Sequence, residues 1–147
     1  MRNGVALGLA GLALIVATSG SAAPTPVKFS AALNIGQEVP NPKGTKAGAS
    51  GRFTATLNGS TLSWKLTFKQ LSGPATAAHI HAGVRGKSGP VVKPLCGPCT
   101  SGASGTVTLT AAEITALRNR KYYANVHTAR NPAGEIRGQI TRSLSQP

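Results

Sequence analysis

Between Val27 and Thr141 apolar and polar residues alternate with a period of two in one segment after another, the pattern of strands that bury one face. Val27, Phe29, Ala31 and Leu33 alternate with Lys28, Ser30, Ala32 and Asn34, which predicts a strand over 27–34. Phe53, Ala55 and Leu57 alternate on one arm of the next segment, and Leu62, Trp64, Leu66 and Phe68 on the other. Asn58-Gly59 lies between the arms, and both residue types tolerate positive φ, so 50–68 reads as a hairpin with a two-residue turn. That turn pairs Phe53 with Trp64 and Ala55 with Leu62. Further strands are expected over 75–82, 105–109, 122–128 and 135–141, with a short apolar piece at Val91-Val92. Pro132-Ala133-Gly134 suits a three-residue connection between the last two strands, which sets His127 opposite Gln139 and near Arg137. Stretches rich in glycine and proline, 36–49, 83–90 and 94–105, read as loops.

One passage is helical. Thr110 is a good N-cap, and Glu113 three residues later completes a capping box. Ile114 and Leu117 form a small apolar face, and Arg118, Arg120 and Lys121 suit the C-terminal end of the helix dipole. Many short strands with glycine and proline turns and one short helix predict an all-β domain, a Greek-key-like sandwich or flattened barrel.

The length of 147 residues fits one domain, expected over 24–147. Residues 1–23 read as a secretory signal peptide. Arg2 is its positive start, and Ser21-Ala22-Ala23 supplies the small residues of a cleavage site. Val5–Val16 is an apolar run of twelve residues, too short to span a bilayer. No later stretch is apolar and long enough to anchor the remainder, so the expected destination is secreted or periplasmic.

The chain has three histidines. His79 and His81 lie two apart and point to one side of their strand, while Ala78, Ile80 and Ala82 face the core. If Ala124 and Val126 face inward, His127 faces out beside Tyr123 and Asn125. This predicts a three-imidazole site for copper or zinc on the outside of a sheet. The alternative is that the His pair hydrogen-bonds loop backbone and holds residues 83–90 in place. Glu135 is a candidate acceptor for an imidazole N–H, the usual way of orienting such ligands; an ion pair with Arg137 or Arg130 is its other reading.

Cys96-Gly97-Pro98-Cys99 spells a redox dithiol motif, but no helix start follows and the surroundings are not βαβ. In an exported chain a local disulfide is the preferred reading, with a redox dithiol and a thiolate metal site as alternatives.

Net charge is +13, and removal of the leader with Arg2 leaves +12. There is no Asp, and Glu38, Glu113 and Glu135 are the three acidic residues. Such a chain favours anionic surroundings, such as cell-envelope polymers or small anions. The cations are scattered singly and aromatics are few, which argues against specific nucleic-acid recognition. Without Asp there is no Ser–His–Asp constellation, and three dispersed Glu nominate no carboxylate pair for glycoside cleavage.

The blocks AHIHAG-RG-SGPVV-L and YYANVHT--NPAGEIRGQI, about thirty residues apart, resemble the CHRD domain, named for the extracellular growth-factor antagonist chordin and present in many exported microbial proteins. The likeness covers roughly Val27 to Thr141 and implies a β-sandwich. A weaker resemblance links the His-x-His pair and the NVHT block to the copper site of Cu,Zn superoxide dismutases. It implies that His79, His81 and His127 are copper ligands and that Arg137 is the cation attracting superoxide. The chain lacks a bridging histidine and any zinc site of that family. Three functions are carried forward: a metal-binding module, a copper-dependent redox enzyme, and a metal-free adhesion or envelope-interaction domain.

Overall fold

A computed structural model describes residues 24–143; the signal peptide expected over 1–23 lies outside the described residues. Among the described residues nine strands form a single sheet in the order β5-β4-β7-β8-β1-β2-β3-β6, with β9 also paired to β1, and one α-helix packs beside it. The strands are β1 (Val27–Asn34), β2 (Ser50–Asn58), β3 (Thr61–Lys69), β4 (Ala75–Ala82), β5 (Val91–Cys96), β6 (Ser104–Thr108), β7 (Tyr122–Thr128), β8 (Ile136–Gln139) and β9 (Thr141–Arg142). All pairings are antiparallel. The sheet curls until its two edges, β5 and β6, touch, which gives the expected flattened barrel.

The core is made of the inward positions of that alternation. Phe29, Ala31 and Leu33 of β1 meet Phe53 and Leu57 of β2, Leu62 and Leu66 of β3, Ile80 of β4 and Val126 of β7, all nearly or fully buried. α1 (Ala111–Arg118) closes one end with buried Leu117, and both halves of its capping box form. Its first-turn carboxylate, Glu113, pairs with Lys93 at 2.9 Å.

Two expectations of register and one of strand extent change. The β2–β3 turn is Gly59-Ser60, with Asn58 paired to Thr61, so Phe53 faces Leu66 and Ala55 faces Trp64. Gly59, at φ +58, takes the first central position, the glycine position of a type II′ turn. A slip of two residues keeps every side chain on its face, so the apolar pattern could not separate the two registers. Likewise β7 and β8 pair Val126 with Ile136, Asn125 with Arg137 and Tyr123 with Gln139. The connection is longer than Pro132-Ala133-Gly134 because Thr128, Asn131 and Glu135 hydrogen-bond across it. His127 therefore does not face Gln139. Finally, β5 runs on to Cys96 where a loop was expected from Pro94. It is an edge strand, where a proline without its N–H is tolerated. Cys96 and Cys99 form the local disulfide.

Candidate metal centre

β4 and β7 are neighbours, and their register sets His81 opposite Tyr123, His79 opposite Asn125 and Ala77 opposite His127. With side chains alternating, all three histidines leave the sheet on the side away from Ile80 and Val126. One nitrogen from each lies within 4.8 Å of the others. His79 Nδ1 and His127 Nε2 are 2.9 Å apart.

The face is not the open exterior that alternation alone suggests. His79 is half-buried, while His81 is only 8% and His127 7% exposed. Two loops cover them. Residues 83–90 fold back over the sheet, drawn down by Arg137 Nη2 donating to Val84 O at 2.9 Å and Gln139 Nε2 donating to Gly83 O at 3.0 Å. At the far end of that loop His81 Nδ1 donates to Gly89 O at 2.9 Å, and Tyr123 Oη accepts from Gly89 N. Gly89 lies so close to the end of β4 that any Cβ would collide with the Ala82 carbonyl. The second loop, after β7, brings the Pro132 carbonyl to His127 Nδ1 at 2.9 Å. Of the His79–His81 pair only His81 bonds the backbone of the 83–90 loop, while His79 bonds His127, and His127 bonds the loop after β7.

Those carbonyls fix the tautomers. An oxygen acceptor requires Nδ1–H on His81 and on His127, which leaves both Nε2 atoms as lone pairs. His127 Nε2 then accepts from His79 Nδ1–H. His81 Nε2 is buried and has no hydrogen-bond partner. Burial lowers the pKa of all three rings. For His127 desolvation is the largest effect, the Pro132 bond opposes it, the other two imidazoles add to it, and the value falls to about 4. The rings are therefore neutral at neutral pH, as metal ligation requires.

These three residues could hold a metal ion. An ion would be held by Nε2 of His81, Nε2 of His127 and a nitrogen of His79. Three nitrogens at roughly 2.0–2.1 Å from one ion are about 3.5 Å apart, within the range this cluster spans. Backbone carbonyls on the second nitrogen of two of the rings are the outer support usual for such ligands.

Glu135 does not orient an imidazole directly, and it forms no ion pair with Arg130 or Arg137. It is fully buried and accepts from Ser72 N (2.6 Å), Ser72 Oγ (2.5 Å), Thr128 Oγ1 (2.6 Å) and Asn131 Nδ2 (3.3 Å). Desolvation acts to raise its pKa, but those bonds outweigh it and hold the carboxyl below its ordinary value. Its effect on the site is indirect: it braces the loop that carries Pro132. Arg137 is 1% exposed, with its guanidinium 3.4 Å from the Tyr123 ring centroid. A cation that draws an anion from solvent must face solvent, and Arg137 does not.

Tyr123 was expected on the outward face beside His127, and it lies on the histidine side of the sheet. It stacks on His81 with centroids 5.0 Å apart and planes 11° from parallel. Gln139 lies opposite Tyr123 rather than His127 and ties down the 83–90 loop, and Glu38 was not foreseen near the site. Glu38 is buried beside Gly134 and Asn125, and burial pushes its pKa up to about 7 against the Val39 N–H and the Arg137 charge. Its one sequence signal was a lone acid within a glycine- and proline-rich loop.

Fold and site together describe a flattened β-barrel with a roofed three-histidine cluster on one face. The CHRD domain family profile matches residues 29–140, and the chain belongs to that family. No curated protein and no solved structure matches it.

Proposed function

We propose that this CHRD domain is an exported metal-binding module in which His79, His81 and His127 hold a copper or zinc ion. The observation that carries the reading is the buried, unpartnered Nε2 of His81, set beside nitrogens of two other neutral imidazoles. An unmet buried polar atom is costly, and an ion at this point satisfies it. A bound copper ion would supply one-electron redox chemistry, and zinc a closed structural staple or a Lewis acid. This chain's residues hold the rings neutral, fix which nitrogen is free and keep water from two of the three ligands. Residues 1–23 deliver the protein to a secreted or periplasmic setting, where the Cys96–Cys99 disulfide persists. Among the described residues no helix is long and apolar enough to cross a membrane.

Elemental analysis of tag-free protein tests this directly. Near-stoichiometric copper or zinc is expected, and it should vanish in the double variant His79→Ala, His81→Ala. No metal in the parent and no binding on copper titration would return the histidines to a purely structural role.

A second reading concerns anionic partners. Lys28, Arg52 and Lys65 ring a shallow groove of about 350 Å³ on the outer face of β1–β2–β3, with Ser30, Thr54 and Ser63 between them. Of the three carboxylates, two are buried and Glu113 is paired to Lys93, so none opposes this face. The arrangement suits a polymer of repeating phosphates or carboxylates in the cell envelope. Inorganic polyphosphate is the probe. The variant Lys28→Gln, Arg52→Gln, Lys65→Gln should weaken binding by more than tenfold, and three cations neutralised elsewhere should weaken it much less. Equal losses in the two variants would reduce the effect to net charge.

A further inference from the structure

We infer that the Arg137 guanidinium, held behind His81 through the Tyr123 ring, biases the three-histidine site toward singly charged copper over doubly charged ions. The inference rests on the metal reading above and adds the charge state of the ion.

β7 is the middle strand of β4–β7–β8, so Tyr123 takes His81 from one side and Arg137 from the other. The tyrosine stacks almost parallel on the imidazole, and the guanidinium lies against the ring at 3.4 Å. Arg137 is buried, its Nη1 has no hydrogen-bond partner, and its Nη2 is spent on a neutral carbonyl, Val84 O. Among the described residues the only ion pair is Lys93–Glu113, so no carboxylate sits against this guanidinium. An arginine retains its charge under such conditions.

An ion in the site therefore meets three neutral nitrogens, no anionic ligand and one buried positive charge. The guanidinium lies within about 8 Å of the His81 ring, and there, at an effective permittivity of about 20, each additional unit of charge on the ion is disfavoured about tenfold or more. A doubly charged ion bears that penalty twice, a singly charged one once. Imidazole is an accepted ligand for copper in either oxidation state, so the donors do not oppose the electrostatic preference. Glu38 opposes it in part, since its carboxylate interacts with Arg137 from beyond ion-pairing distance.

The readout is the ratio of Cu(I) to Cu(II) affinity at about pH 8, from anaerobic competition with a Cu(I)-selective chelator and from competition with an amino-acid chelator for Cu(II). Arg137→Met should lower the ratio about tenfold, while Arg137→Lys, which keeps the charge, should stay within about threefold of the parent. Glu38→Gln removes a negative charge and should raise the ratio severalfold. Equal changes in the Met and Lys variants, or no rise with Glu38→Gln, would overturn the inference. If Arg137→Met does not fold, Glu38→Gln decides alone. Copper binding with an unmoved ratio removes this inference and leaves the site; binding of neither ion removes both.

Discussion

Glu38→Gln should stabilise the metal-free protein, and only where the carboxyl of the unfolded parent is ionised. Glu38 is almost wholly buried, and its pKa rises from 4.5 to about 7. Between those values the native state holds a proton that the unfolded chain has released. Stability therefore falls as pH rises through that window and is flat with respect to this group above about 7. A rise of that size corresponds to about 3 kcal/mol, and partial screening by solvent reduces the expectation to about 2 kcal/mol. Glutamine copies the shape of the protonated acid, and Val39 N can still donate to its oxygen as it does to Glu38 Oε1. The variant should thus match the parent near pH 4.5 and exceed it by about 2 kcal/mol near pH 8. Urea unfolding with chelator present, followed by fluorescence of the single tryptophan, Trp64, measures both. Contributions from the histidines are common to both proteins and cancel in the difference. A difference independent of pH, or a variant weaker than the parent at pH 8, would refute the reasoning.

Other perturbations separate the roof of the site from the barrel beneath it. Gly89→Ala forces the 83–90 loop off the Ala82 carbonyl and should cost about 1–3 kcal/mol in unfolding experiments, while weakening metal retention through loss of the His81–Gly89 bond. Glu135→Gln replaces a buried carboxylate that accepts four hydrogen bonds and should destabilise by about 2–4 kcal/mol at neutral pH. Because the Glu135 pKa is lowered, that loss should shrink as pH falls through the carboxylate range, which the same titration reads. Thr110→Ala removes the helix cap and should cost about 1 kcal/mol without changing metal content.

Strand positions and faces were legible because period-two alternation reports them directly: 27–34, 75–82 and 122–128 appear as read. Register was not, since slips of two at Phe53 and of four at His127 preserve every face. The histidines converge because His79, His81 and His127 share a face of adjacent strands, which alternation could suggest but only pairing could establish. Their burial was hidden for a different reason. It comes from loops tied down by Arg137, Gln139 and Tyr123, contacts between residues tens of positions apart with no local signal.

The three carboxylates explain much of what chemistry remains open to this domain. Glu113 caps a helix and pairs with Lys93, Glu135 braces the loop behind His127, and Glu38 is buried beside Asn125 and Gly134. None lies free at the surface, and none joins the histidine cluster. The site therefore has neutral imidazoles to offer, with no carboxylate to act as base or to neutralise a bound ion. Acid–base hydrolysis asks for groups already committed elsewhere. Ion binding asks for lone pairs, which backbone carbonyls leave free on His81 and His127, and the cation behind His81 weighs against each unit of charge the ion carries. An ion bound as proposed should be selected by its charge, and Arg137 and Glu38 are the two residues positioned to set that preference in opposite directions.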